Sequence, residues 1–302
     1  MPRVIAFQGE HGAYSDEAIR SHDPEAQTLP CERFVDLFRA VLEGKADACL
    51  LPVENSIAGT VAQSYELLLD HDLRVQAEVI LRVEHMLLAI PDTNIEQIKR
   101  VKSHPQALSQ CEAFIRRRGY EPLAAYDTAG SARVLAAEPD PQTAVIASRL
   151  AGELYGLQIL ERGIEDNPYN STRFFLLGVN DAPYNPNVPN KTSIVFATRH
   201  KPAALYECLG AFARNQINLT KLESRSRRSH PWQYWFYLDF EGHPEEPHVA
   251  DALNSLLRSA SFVKMLGAYP AAPMPTYTDN STSALHMIPL PRAELKVNGN
   301  EQ

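Results

Sequence analysis

Ala48-Cys49-Leu50-Leu51-Pro52-Val53 is a short apolar run that ends abruptly in Glu54-Asn55-Ser56. A helical pattern follows, with Tyr65, Leu68 and Leu69 on one face. An apolar run of this length, bounded by polar loop residues, reads as a buried strand feeding a helix. The same unit stands upstream. Residues 4–7 are strand-like, Gln8-Gly9-Glu10-His11-Gly12 is a turn, and a helix opens near Ser15. Asp16 and Glu17 fall in its first turn, where acids suit the helix dipole. Phe34, Leu37, Phe38, Val41 and Leu42 recur at helical spacing between the two strands. Alternation of this kind predicts an α/β layer with parallel strands.

The unit recurs downstream. Val101-Lys102 runs into Ser103-His104-Pro105 and a helix to Arg118. Ala124 and Ala125 precede Asp127-Thr128 and a helix through Val134 and Leu135. Residues 144–147 read as a strand and 150–155 as its helix. Between the two groups, residues 75–90 form a long extended stretch suited to crossing between lobes. After the loop 165–170, residues 173–179 read as a returning strand. Two small α/β lobes are expected, the second inserted into the first. Lobe one spans about 1–75 and 166–180, and lobe two about 76–165. A cleft between such lobes is the default small-molecule site.

Pro183, Pro186 and Pro189 mark an extended linker over 180–190. A second unit follows over 191–270. Strands are expected at 192–198, 219–224, 234–240 and 263–266, with helices at 203–214 and 248–259. That order is βαββαβ, a ferredoxin-like unit. Residues 271–302, rich in Pro, Thr, Ser and Asn, read as a flexible tail.

Composition narrows the function classes. Of 302 residues, 44% are hydrophobic and 22% charged, which excludes global disorder. Asp and Glu outnumber Lys and Arg by 37 to 29, and a short basic run is read at Arg225, Arg227 and Arg228. A duplex-DNA footprint is therefore not expected, and an anionic ligand would need a local pocket of donors. No window approaches the ~18 apolar residues of a spanning helix, and the N-terminus lacks a signal-peptide pattern. Cys31, Cys49, Cys111 and Cys208 are scattered without a CxxC pair. Reduced thiols in a cytoplasmic protein are expected, with no metal, nucleic-acid or membrane partner.

Four loops carry the chemistry: Gly12-Ala13-Tyr14-Ser15, Glu54-Asn55-Ser56, Ser103-His104-Pro105 and Asp127-Thr128-Ala129. Each places a hydroxyl or amide near a helix N-terminus, where backbone N–H groups lack intrahelical partners and attract anions. Such loops lie at the carboxyl ends of strands, where open α/β sheets bind ligands. Singly, each is explained by helix capping. Four on one rim predict a cleft for a small, multiply charged organic anion. Glu54 ends a buried run. It is either a desolvated carboxyl with a raised pKa, suited to proton transfer, or a capping or salt-bridging acid. In Asn170-Ser171-Thr172-Arg173-Phe174, Thr172 can hydrogen-bond a leaving oxygen and Arg173 can pair with a carboxylate, or simply start a strand. His85 and His104 are possible bases. No Ser/His/Asp triad is legible.

Together these motifs resemble the prephenate dehydratase family, of the monofunctional kind with a C-terminal ACT regulatory domain. The resemblance runs over about residues 3–270. It is carried by Gly12 to Ser15 with Ala18, by Leu51 to Ser56 with Gly59-Thr60-Val61, and by Ser103 to Ala107 with Gln110 and Cys111. Asp127 to Ala129 with Ser131-Ala132, and Thr172-Arg173-Phe174, complete it. It implies a catalytic region over 1–180, two-lobed like a type II periplasmic binding protein, and an ACT domain over 191–270. It implies a hydro-lyase that needs no cofactor, in which prephenate loses CO2 and its ring hydroxyl to give phenylpyruvate, a step of L-phenylalanine biosynthesis. Thr172 would be catalytic, with Glu54. Tyr14, Ser15, Asn55, Ser56, Thr60, Ser103, His104, Gln110, Thr128, Arg173 and Phe174 would bind substrate. L-Phenylalanine would inhibit from the ACT domain of a homodimer or homotetramer. Its contacts would be Ala203, Ala204 and Leu205, where the family carries Gly-Ala-Leu, and Glu223, Ser224, Arg225 and Ser226, where it carries Glu-Ser-Arg-Pro. The alternatives are an arogenate dehydratase and a non-enzymatic amino-acid sensor on the same domains. Intact Thr172 and Glu54 favour an enzyme.

Overall fold

A computed structural model describes residues 2–227 and 232–273. The chain first lays down β1 (Val4–Gln8), α1 (Tyr14–His22), β2 (Gln27–Cys31), α2 (Phe34–Leu42), β3 (Ala48–Asn55), β4 (Gly59–Thr60), α3 (Ala62–Asp70) and β5 (Arg74–Arg82). It crosses over through Val83, Glu84 and His85. A second group follows: β6 (Met86–Ala89), β7 (Arg100–Ser103), α4 (Pro105–Gln110), α5 (Glu112–Arg118), β8 (Glu121–Ala124), α6 (Thr128–Ala137), β9 (Thr143–Ala147), α7 (Arg149–Tyr155) and β10 (Gln158–Arg162). β11 (Ser171–Gly178) then returns to the first group. The last unit is β12 (Asn190–Thr198), α8 (Ala204–Arg214), β13 (Leu219–Ser226), β14 (Tyr234–Glu241), α9 (Pro247–Ser259) and β15 (Ala260–Pro270).

The first sheet has the order β2-β1-β3-β11-β5, with β4 hydrogen-bonded to β3. β1, β2 and β3 run parallel, and β11 lies antiparallel between β3 and β5. The second sheet is β10-β6-β9-β7-β8. Each lobe is thus a sheet with helices, and the strand inserted last into the first sheet is the one that comes back from lobe two. This is the two-lobed arrangement of type II binding proteins. The third sheet, β13-β14-β12-β15, is wholly antiparallel, as a βαββαβ unit requires.

Burial explains the layering. β3 is buried on both faces from Ala48 to Leu51, as a central strand should be, and alternates only near its end. Helices α8 and α9 bury Cys208, Phe212, Val249 and Leu256 on one face of the third sheet. The other face contributes Val195, Tyr237, Leu266 and Tyr269 to the core of lobe one, beside Tyr65, Val75 and Phe175. The contact is close enough that a Cβ on Gly267 would lie 2.4 Å from the Val75 carbonyl oxygen. The ferredoxin-like unit therefore backs directly onto lobe one.

Several sequence expectations shift. β5 stays in the first sheet to Arg82, so the crossing lies at 83–85 rather than near 75. β2 and β10 were not expected. Both are sheet edges, and an edge strand such as Gln27-Thr28-Leu29-Pro30-Cys31 tolerates polar residues and proline. The helix expected up to Arg118 breaks at Cys111 into α4 and α5. α8 begins at Ala204, because Ala203 is left-handed with φ +63°. β15 is longer than expected at both ends. The tail expected over 271–302 lies outside the described residues beyond 273. No described helix is long and apolar enough to cross a membrane.

Candidate active site

A cavity of about 410 Å³ opens between the lobes. Lobe one contributes Gln8, Gly9, Ala13, Tyr14, Ser15, Pro52, Asn55, Thr172 and Phe174. The crossing segment contributes Val83 and His85, and lobe two His104, Gln106, Ala107, Gln110, Tyr126, Asp127 and Thr128. The lobes also touch beside it. Ser148 Oγ of lobe two donates to the Gly12 carbonyl at 2.5 Å. A Cβ at Gly12, where φ is +86°, would lie 2.8 Å from Ala151 Cα, so the turn needs glycine for both reasons.

The polar wall is organised from Asn55, at the end of β3. Its Oδ1 accepts the backbone N–H groups of Ile57 and Ala58, at 3.1 and 2.8 Å. Those donors have only one possible direction, so the amide nitrogen must face the other way. It donates to Asn170 Oδ1 at 2.8 Å, to the Ser171 carbonyl at 3.2 Å and to Thr172 Oγ1 at 3.1 Å. Thr172 Oγ1 is therefore an acceptor toward Asn55, which leaves its own proton for the cavity. On the far side Tyr14 Oη lies 2.6 Å from His85 Nδ1, and His85 Nε2 lies 2.8 Å from Gln110 Oε1. Burial lowers the His85 pKa below its ordinary 6.5, with the Gln110 hydrogen bond and Glu165 opposing. Burial likewise raises the Tyr14 phenol, so it holds its proton. Among the described residues, no lysine or arginine lines the cavity. An anion here meets hydroxyls, amides and the N-terminal turns of α1 and α6, and one carboxylate, Asp127, which is engaged with Gly130 N.

A prephenate dehydratase family model matches residues 5–182. The chain belongs to the prephenate dehydratase family. Arogenate dehydratase/prephenate dehydratase 2, chloroplastic, of Arabidopsis thaliana is 42% identical over 275 residues, covering 88% of this chain and 72% of that protein. The bifunctional N-acyl-homoserine lactone acylase/prephenate dehydratase of Komagataeibacter europaeus is 39% identical, covering 90% of this chain and 97% of its own. Among solved structures, the prephenate dehydratase of Arthrobacter aurescens in complex with L-Phe superposes with a TM-score of 0.81. It is 30% identical, with 92% of this chain and 94% of that one covered.

Within this prephenate dehydratase fold, Tyr14, Ser15, Asn55, His104, Gln110, Thr128, Thr172 and Phe174 come together at the cavity. Five other residues expected there do not line it. Ser103 is fully buried and donates to the Ile146 carbonyl at 2.6 Å, fastening β7 to β9. Ser56 donates to the Tyr169 carbonyl at 2.8 Å and accepts from Ser171 N at 2.9 Å, tying the end of β3 to the start of β11. Glu54, Thr60 and Arg173 point to the opposite side of the sheet, against the ferredoxin-like unit. Glu54 Oε2 meets Lys221 Nζ at 2.9 Å, and Thr60 Oγ1 donates to Glu223. The expectation of a desolvated Glu54 acid in the cleft is thereby corrected: its side chain is 37% exposed and ion-paired. Arg173 donates to Glu78, to Asp239 at 2.5 Å and to Tyr269 Oη at 3.3 Å. Side chains alternate along a strand, so Asn55 and Thr172 face the cleft while their neighbours Glu54 and Arg173 cannot.

Gln8, Gln106, Tyr126 and Asp127 line the cavity without having been singled out as contacts. Asp127 was visible as a loop residue, and its side chain caps α6 by accepting from Gly130 N. Asn170, fully buried, was visible only as the start of the Thr-Arg-Phe stretch. Glu223, Ser224, Arg225 and Ser226 line a second cavity of about 600 Å³. Its other walls are Glu66, Leu69 and Asp70 of α3, with Trp235 and Tyr237 of β14. Ala203, Ala204 and Leu205 are not among its lining residues.

Proposed function

We propose that this chain is a prephenate dehydratase over residues 1–180, joined to an ACT regulatory unit over 191–270. The observation that carries the reading is the Thr172 hydroxyl. Asn55 engages its lone pair, so its proton faces a cleft whose polar wall is mostly hydroxyls and amides, with the single carboxylate Asp127 engaged in capping α6. Prephenate carries two carboxylates, which suit the hydroxyls, amides and helix N-termini of that cleft. In the reaction the bond to the ring carboxylate breaks, its electron pair enters the ring, and the ring C–O bond breaks at the other end. Aromatisation drives both. The protein's part is to hold the ring and stabilise departing hydroxide. Thr172 donates its hydrogen bond to that oxygen as it leaves, the Asn55 side-chain N–H stabilises the negative charge gathering on Oγ1, and solvent water returns a proton to Oγ1 once the departing oxygen has left as water. Positioned proton donation of this kind is worth typically ~10²–10⁴ in rate.

L-Phenylalanine is the proposed inhibitor, held at the cavity lined by Glu223 to Ser226. A ligand there would touch lobe one through α3 and the regulatory unit through β13, so it can favour one arrangement of the two. Ala203 to Leu205 lie outside this cavity, and a second copy of the chain in a homodimer or homotetramer would bring them to the effector. Cytoplasmic placement suits the four free thiols.

The test is phenylpyruvate formation from purified prephenate, with and without L-phenylalanine, beside a Thr172→Ala control. Turnover that phenylalanine suppresses and the substitution abolishes supports the whole reading. Turnover indifferent to phenylalanine removes the regulatory half. Turnover of arogenate but not prephenate assigns the amino-bearing substrate instead. Absence of turnover with both would leave a ligand sensor.

A further inference from the structure

The directions of the hydrogen bonds at the cleft propagate beyond Thr172. Asn170 Oδ1 accepts from Asn55, so Asn170 Nδ2 is the end that reaches Gln110 Oε1, at 3.2 Å. Gln110 Oε1 therefore accepts, and its Nε2 amide is the end left for the cavity that Gln110 lines. The second bond to Gln110 Oε1 comes from His85 Nε2 at 2.8 Å, which must carry a proton. A neutral ring protonated at Nε2 has a bare Nδ1, and that nitrogen accepts from Tyr14 Oη at 2.6 Å. Every orientation follows from two backbone N–H groups at residues 57 and 58.

His85 occupies a special place in this chain. It lies on the crossing between the lobes, 2% exposed, and joins Tyr14 of lobe one to Gln110 of lobe two. Its backbone is held as well: His85 N donates to Glu165 Oε2 at 2.9 Å, and its carbonyl accepts Ile164 N at 3.1 Å. The ring cannot turn without breaking contacts to both lobes. We propose that His85 is a positioning residue: its Nε2–H holds Gln110 so that the amide N–H groups, not the carbonyl oxygen, face the anionic substrate.

The proposal rests on the dehydratase reading for the identity of the anion, and the charged neighbours are accounted for. Tyr14 and Gln110 face the ring, and Glu165 faces its backbone and is paired with Arg82 at 3.8 Å. Without His85, Gln110 keeps only Asn170 as a donor to Oε1. An amide turned over would aim a carbonyl at a carboxylate.

The experiment compares His85→Leu, which removes both ring bonds, with His85→Gln, whose side-chain N–H can replace Nε2–H and cannot titrate. KM and kcat for prephenate are measured across pH, and prephenate binding is measured by calorimetry on the Thr172→Ala background. His85→Leu is expected to weaken binding and raise KM by roughly tenfold to a hundredfold, the loss of one charge-assisted hydrogen bond, with a smaller fall in kcat. His85→Gln is expected to recover most of that and to flatten the acid limb of the kcat/KM profile. Unchanged binding in a folded His85→Leu protein overturns the proposal. So does a His85→Gln protein that melts like wild type yet is as impaired as the leucine variant. If His85→Leu fails to fold, the glutamine variant decides alone. Binding that depends on His85 in a protein without turnover refutes the dehydratase reading and supports the positioning role. Absence of prephenate binding on the Thr172→Ala background overturns both.

Discussion

Arg173→Met should unfold the protein more readily rather than simply weaken its hold on substrate. The arginine side chain is 13% exposed, and its carboxylate partners Glu78 and Asp239 are 1% and 4% exposed. Lys191 completes the group, with Nζ 3.1 Å from Glu78 Oε2. Two cations thus face two anions. Removing one partner of a buried ion pair costs about 3–5 kcal/mol, because the remaining charge is stranded in a poor solvent. Here the loss should sit near the lower end, about 3 kcal/mol. Glu78 keeps Lys191 and the Ala272 N–H, and Asp239 keeps the Ser193 hydroxyl at 2.6 Å. The assay is urea unfolding, read from the midpoint at constant slope. Asp239→Asn added to the methionine variant should cost much less than Asp239→Asn alone, since the charge it removes is already unpaired. A loss below about 1 kcal/mol, the range of an exposed pair, together with a raised KM would refute the reasoning. It would return Arg173 to the substrate.

The same cluster makes a pH prediction. Burial pushes the Glu78 carboxyl up, but Arg173 and Lys191 outweigh it and hold the group below its ordinary 4.5. The folded state therefore keeps the charged form to lower pH than the unfolded chain does. The stability this contributes is present above pH 4.5 and is lost as the pH falls through the folded value. Arg173→Met should flatten that acid limb, and an unchanged limb would assign it to other groups.

Three further outcomes are expected. Thr172→Ala should lower kcat by ~10²–10⁴ with its melting temperature kept, and a change confined to KM would remove its role in the chemical step. Ala203→Gly should stabilise the protein by up to about 1 kcal/mol, because a left-handed alanine at φ +63° carries a steric cost that glycine lacks; a destabilised variant on thermal melting would show that its methyl packs. Lys221→Met should cut the response to L-phenylalanine by at least about fivefold while kcat/KM without effector stays close to wild type. An inhibition curve unchanged from wild type would show that the contacts from β13 to Glu54 and Thr60 carry no signal.

Much of lobe one was legible because central strands announce themselves. Residues 48–53 are apolar without interruption, and polar loop residues end the run. The loops that line the cavity were legible for the same reason, since the carboxyl ends of such strands gather at one edge. What was not legible was parity at the ends of β3 and β11. Glu54-Asn55 and Thr172-Arg173 each put two chemically able side chains side by side, and a strand sends them to opposite faces. Deciding which face is the cleft requires knowing what covers the other. That cover is the ferredoxin-like sheet, which comes from residues far along the chain. His85 was obscured differently. It sits within a long extended stretch, and its importance arises only where that stretch passes between Tyr14 and Gln110.

Parity also bears on how a distant effector could reach the chemistry. The peptide units that hold Thr172 against Asn55 are the ones that hold Arg173 against Asp239 and Tyr269 of the third sheet. One residue earlier on β3, Glu54 is gripped by Lys221, while Asn55 itself aligns the Thr172 hydroxyl. Glu223 lines the second cavity and also accepts from Thr60, whose strand pairs with Glu54 and Asn55. A tilt of the third sheet is therefore not free to leave the cleft alone. It must either break buried contacts at Arg173 or carry β11 with it, and a displacement of β11 would shift the Thr172 hydroxyl that the proposed reaction relies on. Rigid backing, rather than a chain of side chains crossing the lobe, is the route along which binding at β13 would reach the reaction. It follows that loosening substitutions at the backing face should uncouple regulation before they abolish turnover.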